Sequence, residues 1–202
     1  GVSFKLLSMK SNEKKQTLIR LSPDTRKSLR IMAAKEDKSL AAIIENILEN
    51  KDKLVCFTHH RDVGEAIHKH FLDKSVLVYG GLEQSEVYEA KEKFWNDEKC
   101  ELFIGSLKMA GVGLNLQVAS NIVFAELDWT PATIGQAEMR TYAPTRPMNV
   151  TYVVADHPAD RALVEALVLK AQNGHALGLP TLEAGAEALS SVFSLPHGPD
   201  LE

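Results

Sequence analysis

Short apolar runs recur through the middle of the chain, each followed by a stretch whose apolar positions repeat every three or four residues. Leu54-Val55-Cys56-Phe57-Thr58 is the first such run, continuous as a strand covered on both faces should be. Asp62 to Leu72 then places Val63, Ala66, Ile67, His70 and Phe71 on one side of a helix. Val76-Leu77-Val78-Tyr79 predicts a second strand, closed by Gly80-Gly81, and Glu86 to Trp95 a helix with a polar surface. Leu102-Phe103-Ile104-Gly105, Asn121-Ile122-Val123-Phe124-Ala125 and Asn149-Val150-Thr151-Tyr152-Val153-Val154 predict three further strands, with helices between them. Strands separated by helical crossovers imply an α/β fold: three layers, a mainly parallel sheet with helices on both faces. In such sheets ligands bind at the loops beyond the carboxyl ends of the strands.

The first fifty residues read differently. Thr17, Ile19 and Leu21 alternate with Gln16, Leu18 and Arg20, which predicts a strand over 16–22. Ser22-Pro23-Asp24 starts a helix, with proline early in the first turn, where its missing N–H costs little. A second helix begins near Ser39 as N-cap and carries Ile43, Ile44, Ile47 and Leu48 as an apolar stripe. The predicted organisation is a linker or extension over 1–38 (strand then helix), the α/β lobe over 39–172, and a Gly/Pro-punctuated, partly helical tail over 173–202.

Composition narrows the function classes. The 202 residues are 45% hydrophobic and 25% charged, with a formal net charge of −4. No global positive field attracts nucleic acid, so any DNA contact has to come from a local patch. Cys56 and Cys100 lack metal-ligand spacing and read as buried free thiols. No apolar stretch reaches the roughly 18 residues that a membrane span needs, and the N-terminus lacks a signal-like region. The expected setting is a reducing one, cytoplasmic (nucleoid-associated) or nuclear.

The stretch richest in candidate chemistry is Ser106-Leu107-Lys108-Met109-Ala110-Gly111-Val112-Gly113-Leu114-Asn115-Leu116, directly after a strand. Its glycines allow close backbone approach to a ligand, and such a loop presents N–H groups to phosphate oxygens. Lys108 inside it is read as a cation for a nucleic-acid backbone. A Gly-x-Gly by itself also fits a tight strand-to-helix turn. The ordered context adds specificity. Phe57-Thr58-His59-His60-Arg61-Asp62-Val63 ends the first strand, Gly80-Gly81 the second, and Phe124-Ala125-Glu126-Leu127-Asp128-Trp129-Thr130-Pro131 the fourth. Gln136-Ala137-Glu138-Met139-Arg140 opens the next helix, and Arg146-Pro147-Met148-Asn149-Val150 leads into the fifth strand.

In these six stretches the chain resembles the C-terminal, second RecA-like lobe of the Swi/Snf-related branch of superfamily 2, most of all its annealing-helicase-like members, over roughly residues 39–172. The resemblance implies a motor lobe of a DNA-dependent ATPase with a place in DNA repair, whose partners are DNA and a first RecA-like lobe in cis or trans. His59, His60 and Arg61 would belong to helicase motif IV and touch DNA. Ser106, Gly111, Gly113 and Asn115 would form motif V, with Ser106 and Lys108 toward DNA and Gly111, Gly113 and Asn115 toward nucleotide. Gln136 and Arg140 would be the front of motif VI and catalytic, because a guanidinium gives phosphate a planar, permanently charged fork.

Two departures qualify this. The family continues Gln-x-x-x-Arg-x-x-Arg, and here the position three after Arg140 is Ala143; the segment Thr141 to Thr145 is about two residues short, and Arg146 reads as the arginine before the fifth strand. The chain also contains no Gly-x-x-x-x-Gly-Lys-Ser/Thr loop and no Asp-Glu magnesium box. ATP with magnesium is therefore expected only if a first lobe is supplied, and no activity is expected of the chain alone. The alternative is a non-catalytic DNA-binding or regulatory module.

Other residues carry two readings each. Trp129 either stacks a base or anchors the strand end by packing. His59-His60 point to opposite sides of an extended segment and make a poor metal site, so no metal is expected. His68 and His70 are placed on a helix surface, and His157-Pro158 in a turn. Residues 16–50 fit either the inter-lobe linker of the same branch, which the short join Asn50 to Lys53 favours, or a ribbon-helix-helix dimer with Gln16, Leu18 and Arg20 facing DNA bases and Ser39 capping near a phosphate.

Overall fold

The computed structural model describes residues 7–10, 14–21, 38–49, 52–143, 148–155, 162–167 and 169. The expected helix after Ser22, the turn at His157-Pro158, Arg146 and the tail lie outside the described residues. In chain order the elements are β1 (Leu7–Lys10), β2 (Lys14–Leu21), α1 (Lys38–Leu48), β3 (Leu54–Thr58), α2 (Arg61–His70), a 3-10 turn Leu72–Lys74, β4 (Ser75–Val78), α3 (Gln84–Asn96), β5 (Leu102–Ser106), a 3-10 helix Leu107–Val112, β6 (Asn121–Phe124), α4 (Pro131–Met139) and β7 (Met148–Ala155). A last helical segment covers 162–167.

The described strands form one seven-stranded sheet in the order β1-β2-β7-β6-β3-β5-β4. The five predicted strands of the lobe are all present and mutually parallel, with β3 in the centre between β5 and β6. β2 continues the sheet parallel to β7, and β1 folds back antiparallel on β2. Strand β1 has no counterpart in the sequence reading, because Leu7-Ser8-Met9-Lys10 is too short to show a period. Its pairing also corrects the ribbon-helix-helix alternative. That module needs a free edge on the Gln16–Arg20 strand for its twin, and β2 has β1 on one edge and β7 on the other. Helix α1 starts at Lys38, so Ser39 lies inside the helix rather than capping it.

Strand alternation sorts the core into two layers, one on each sheet face. Leu54, Cys56, Ile104, Val123 and Val153 pack with Leu40, Ile43, Ile44 and Leu48 of α1 and with Val63, Ile67 and Phe71 at α2. Val55, Phe57, Phe103, Phe124 and Tyr152 pack on the opposite face with Val87 and Phe94 of α3, Leu107, Ile134 and Ala137, and with Leu163, Val164 and Leu167. Gly64 lets α2 lie close to the sheet: a Cβ there would stand 3.2 Å from Leu77 and 3.3 Å from the Thr58 hydroxyl. Lys53 closes the far end of α3. Its ammonium donates to the carbonyls of Phe94, Asp97 (2.9 Å) and Cys100 (3.1 Å) at the helix C-terminus, where the dipole favours a cation. Among the described residues no helix is long and apolar enough to cross a membrane.

Candidate functional site

The crossovers leave the sheet in opposite directions around β3. The chain after β3 turns to α2 on one face, whereas the segments after β5 and β6 turn to the other face. Thr58 is in register with Ser106, Val78 with Gly105 and Phe57 with Phe124, so four loops leave one edge of the sheet. An edge at which neighbouring loops diverge in this way is where parallel sheets bind ligands.

The glycine loop is built by three anchors. Leu107–Val112 forms a 3-10 helix ended by Gly113 in the left-handed conformation at φ 76°, which favours glycine. Gly111 lies within the 3-10 helix, so of the two expected special positions only Gly113 has a left-handed backbone. Next, the Asn115 carboxamide holds the loop together: its oxygen accepts from the Gln117 amide N–H at 3.0 Å. Its side chain, expected to face nucleotide, is engaged inside the loop. Finally, Trp95 at the end of α3 donates its indole N–H to the Asn115 carbonyl at 2.9 Å. Sequence reasoning placed Trp95 on a polar helix and missed this anchor; an aromatic donor in the last turn of a polar helix was the available signal.

The same loop is tied to the segment carrying the expected catalytic residues. Leu116 N–H donates to the Arg140 carbonyl at 2.8 Å, and Gln117 Nε2 to the Tyr142 carbonyl at 2.8 Å. Gln136 and Arg140 are four residues apart, and Arg140 keeps helical angles (φ −69°, ψ −26°), so both lie on one helical face. Gln136 is exposed and Arg140 partly buried. Glu138 is buried and accepts a hydrogen bond from the Tyr152 hydroxyl. Burial pushes that phenol well above its usual range, and the Glu138 charge and hydrogen bond push it further the same way.

At the end of β3 a carboxylate with no role evident from the sequence organises the turn. Glu126 Oε2 accepts from the backbone N–H groups of His59 (2.9 Å) and His60 (2.8 Å), and its Oε1 accepts from His60 Nδ1 at 2.7 Å. His59 Nδ1 stands 3.5 Å from Asp128 Oδ2, beyond hydrogen-bond geometry. Replacing Glu126 by Ala should therefore accelerate amide hydrogen exchange at His59 and His60 by about tenfold or more, as expected for hydrogen bonds to a charged acceptor. Val55 and Cys56 should be unchanged, and equal acceleration at all four amides would mean general unfolding instead.

The remaining expected residues lie at the same edge. Ser106 ends β5 half-buried, Lys108 is exposed, and Trp129 is 54% exposed. Arg61 is exposed at the start of α2. Cys56 is fully buried, and burial, then the Glu126 charge, push its thiol up to about 12. Cys100, also buried, lies just before β5. His68 is not simply on a surface: it is half-buried, with Nδ1 2.7 Å from the Ser75 hydroxyl, and burial lowers its pKa, with Lys93 adding to the effect.

Comparison with known proteins gives a consistent neighbourhood. The model of the helicase conserved C-terminal domain matches residues 38–143. The SWI/SNF-related matrix-associated actin-dependent regulator of chromatin subfamily A-like protein 1 of Drosophila melanogaster is 31% identical over 129 residues, covering 61% of this chain and 17% of that protein. The DNA annealing helicase and endonuclease ZRANB3 of Mus musculus is 30% identical over 135 residues, covering 64% and 13%. Among solved structures, the SWI2/SNF2 ATPase core domain of Sulfolobus solfataricus superposes with a TM-score of 0.59 at 18% identity, covering 92% of this chain and 49% of that one. The C-terminal part of the Fun30 ATPase domain gives 0.59 at 20% identity, covering 64% and 43%. The chain spans less than a fifth of the length of these two curated relatives.

Proposed function

Because this chain belongs to the helicase conserved C-terminal domain family, in its Swi/Snf-related branch, we propose that it is the second motor lobe of a DNA-dependent ATPase that translocates on or anneals DNA, and that a first lobe in cis or trans completes its site. The observation that carries this reading is the coupling of the glycine loop to the Gln136–Arg140 helix through Leu116 and Gln117. The loop that carries Ser106 and Lys108, assigned to DNA, is thereby hydrogen-bonded to the segment that carries Arg140, assigned to nucleotide, the kind of link that conversion of hydrolysis into movement requires.

The donor set fits one side of a nucleotide. Arg140 and Gln136 suit phosphate oxygens, and the exposed backbone at Gly113 allows close approach. The chain has no phosphate-loop lysine and no magnesium-binding carboxylate pair in the family's arrangement. Those groups would come from the first lobe, and ATP with magnesium would be held between the two. His59, His60, Arg61, Ser106, Lys108 and the exposed Trp129 are assigned to DNA. The relatives' names, a regulator of chromatin and a DNA annealing helicase, point to a nuclear or nucleoid setting.

Joined to a first lobe of the same branch, the chain should bind duplex DNA with an affinity that falls steeply with salt and should hydrolyse ATP only when DNA is present. Absence of salt-dependent binding overturns the reading. One observation favours a second reading, a non-catalytic DNA-binding module that keeps the lobe as scaffold: Ala143 stands where the family has arginine. DNA binding with no ATP turnover, even after Ala143→Arg, would establish it.

A further inference from the structure

We propose that Tyr79 is a positioning residue that sets the Arg61 guanidinium for contact with a DNA backbone phosphate, with Glu65 as its second support. This rests on the reading that the loop edge of the sheet meets DNA. Arg61 Cζ lies 3.8 Å from the Tyr79 ring centroid, and its Nη2 donates to the Tyr79 hydroxyl at 2.9 Å. Nε donates to Glu65 Oε1 at 2.7 Å. A guanidinium has five N–H donors. With Nε and one Nη2 hydrogen engaged, three donors, two on Nη1 and one on Nη2, are left for the oxygens of an anion such as phosphate. The side chain is 60% exposed, so that edge is open to a large ligand.

Stabilisation of α2 does not explain the arrangement. Arg61 is the first residue of the helix, where the dipole disfavours a cation. Its pairing with Glu65 runs in the less favourable order, basic residue before acidic. Tyr79 is not on the helix; it follows β4, and β5 lies between β4 and β3. The pair therefore spans the end of β5, where Ser106 begins the glycine loop. The stack holds a permanent charge on the α2 side of that strand end, on a rim that also carries Asp62, Glu65, Glu126 and Asp128. A loose arginine would have those carboxylates as competing partners.

The test is fluorescence anisotropy of the full chain with a labelled duplex, between about 50 and 200 mM salt. Arg61→Ala should lower affinity about tenfold and reduce the salt slope by about one. Tyr79→Ala should lower affinity several-fold, and Tyr79→Phe, which keeps the ring, much less. In the Arg61→Ala background Tyr79→Ala should do nothing further, because it acts through the arginine. Wild-type binding by Tyr79→Ala, or an equal extra loss in the double variant, overturns the proposal. Should Lys108→Ala weaken binding while Arg61→Ala does not, the clamp fails and the motor reading stands. If the wild-type chain shows no salt-dependent DNA binding, this proposal fails; if the chain joined to a first lobe shows none either, the motor reading fails with it.

Discussion

Ala143→Arg, in the chain joined to a first lobe, is expected to raise DNA-stimulated ATP hydrolysis by about 10³-fold, the lower end of what an arginine finger supplies in phosphoryl transfer. The reason is local. Arg140 ends α4 with helical angles, and the following turn is fixed by Thr141, whose N–H and hydroxyl both donate to the Glu138 carbonyl, at 3.1 and 2.9 Å. The next residue is fixed too, because Gln117 holds the Tyr142 carbonyl. Position 143 thus directly follows a turn anchored to the glycine loop, and it is only partly buried, so a longer side chain has space to leave it. Arg140→Ala added to Ala143→Arg should return turnover to the starting level, and Arg140→Lys should recover little of it, since a point charge does not replace the bidentate fork. Measurable turnover that is unchanged by Ala143→Arg, under conditions where DNA is bound, would show that this segment does not face nucleotide.

The parts of this picture that the sequence revealed and those it hid differ in physical kind. Each lobe strand was legible because β3, β5 and β6 are buried on both faces and read as continuous apolar runs. Order along the chain also located the loops, since a parallel sheet places every strand end at one edge. What the sequence could not show is which groups meet across that edge. Glu126 and His60 are 66 residues apart, Trp95 and Asn115 20, Gln117 and Tyr142 25. These partners are set by register and crossover direction, and no local pattern marks them. Asn115 illustrates the consequence. Its type and place suggested a ligand contact, yet an Asx turn with Gln117 uses the same oxygen. The hairpin β1–β2 was half hidden for a different reason: strand β2 alternates over eight residues, and β1 has only four.

Phe124→Ala should lower the unfolding free energy by about 3–5 kcal/mol, the usual cost of removing a buried phenylalanine, out of about 5–15 kcal/mol available to a typical domain. Phe57, Phe124 and Tyr152 occupy one register line across β3, β6 and β7. Phe124 is fully buried between the other two, with ring centroids 5.5 Å from Phe57 and 5.2 Å from Tyr152 at interplanar angles of 23° and 11°. Alanine removes both stacked contacts and leaves a cavity in a sheet whose strands cannot close over it, because hydrogen bonds fix their spacing. The loss should reach the site as well. Tyr152 carries the hydroxyl that bonds Glu138, two residues before Arg140, and it would lose the ring that holds it in place. Urea denaturation of Phe124→Ala and Phe124→Leu separates the two effects. Leucine refills part of the volume and should recover at least half of the stability, but it does not restore the stacking. If Phe124→Leu regains stability while DNA-stimulated turnover in the joined protein stays depressed, the aromatic line positions the Glu138–Arg140 helix. If turnover recovers in proportion to stability, the line serves the core alone.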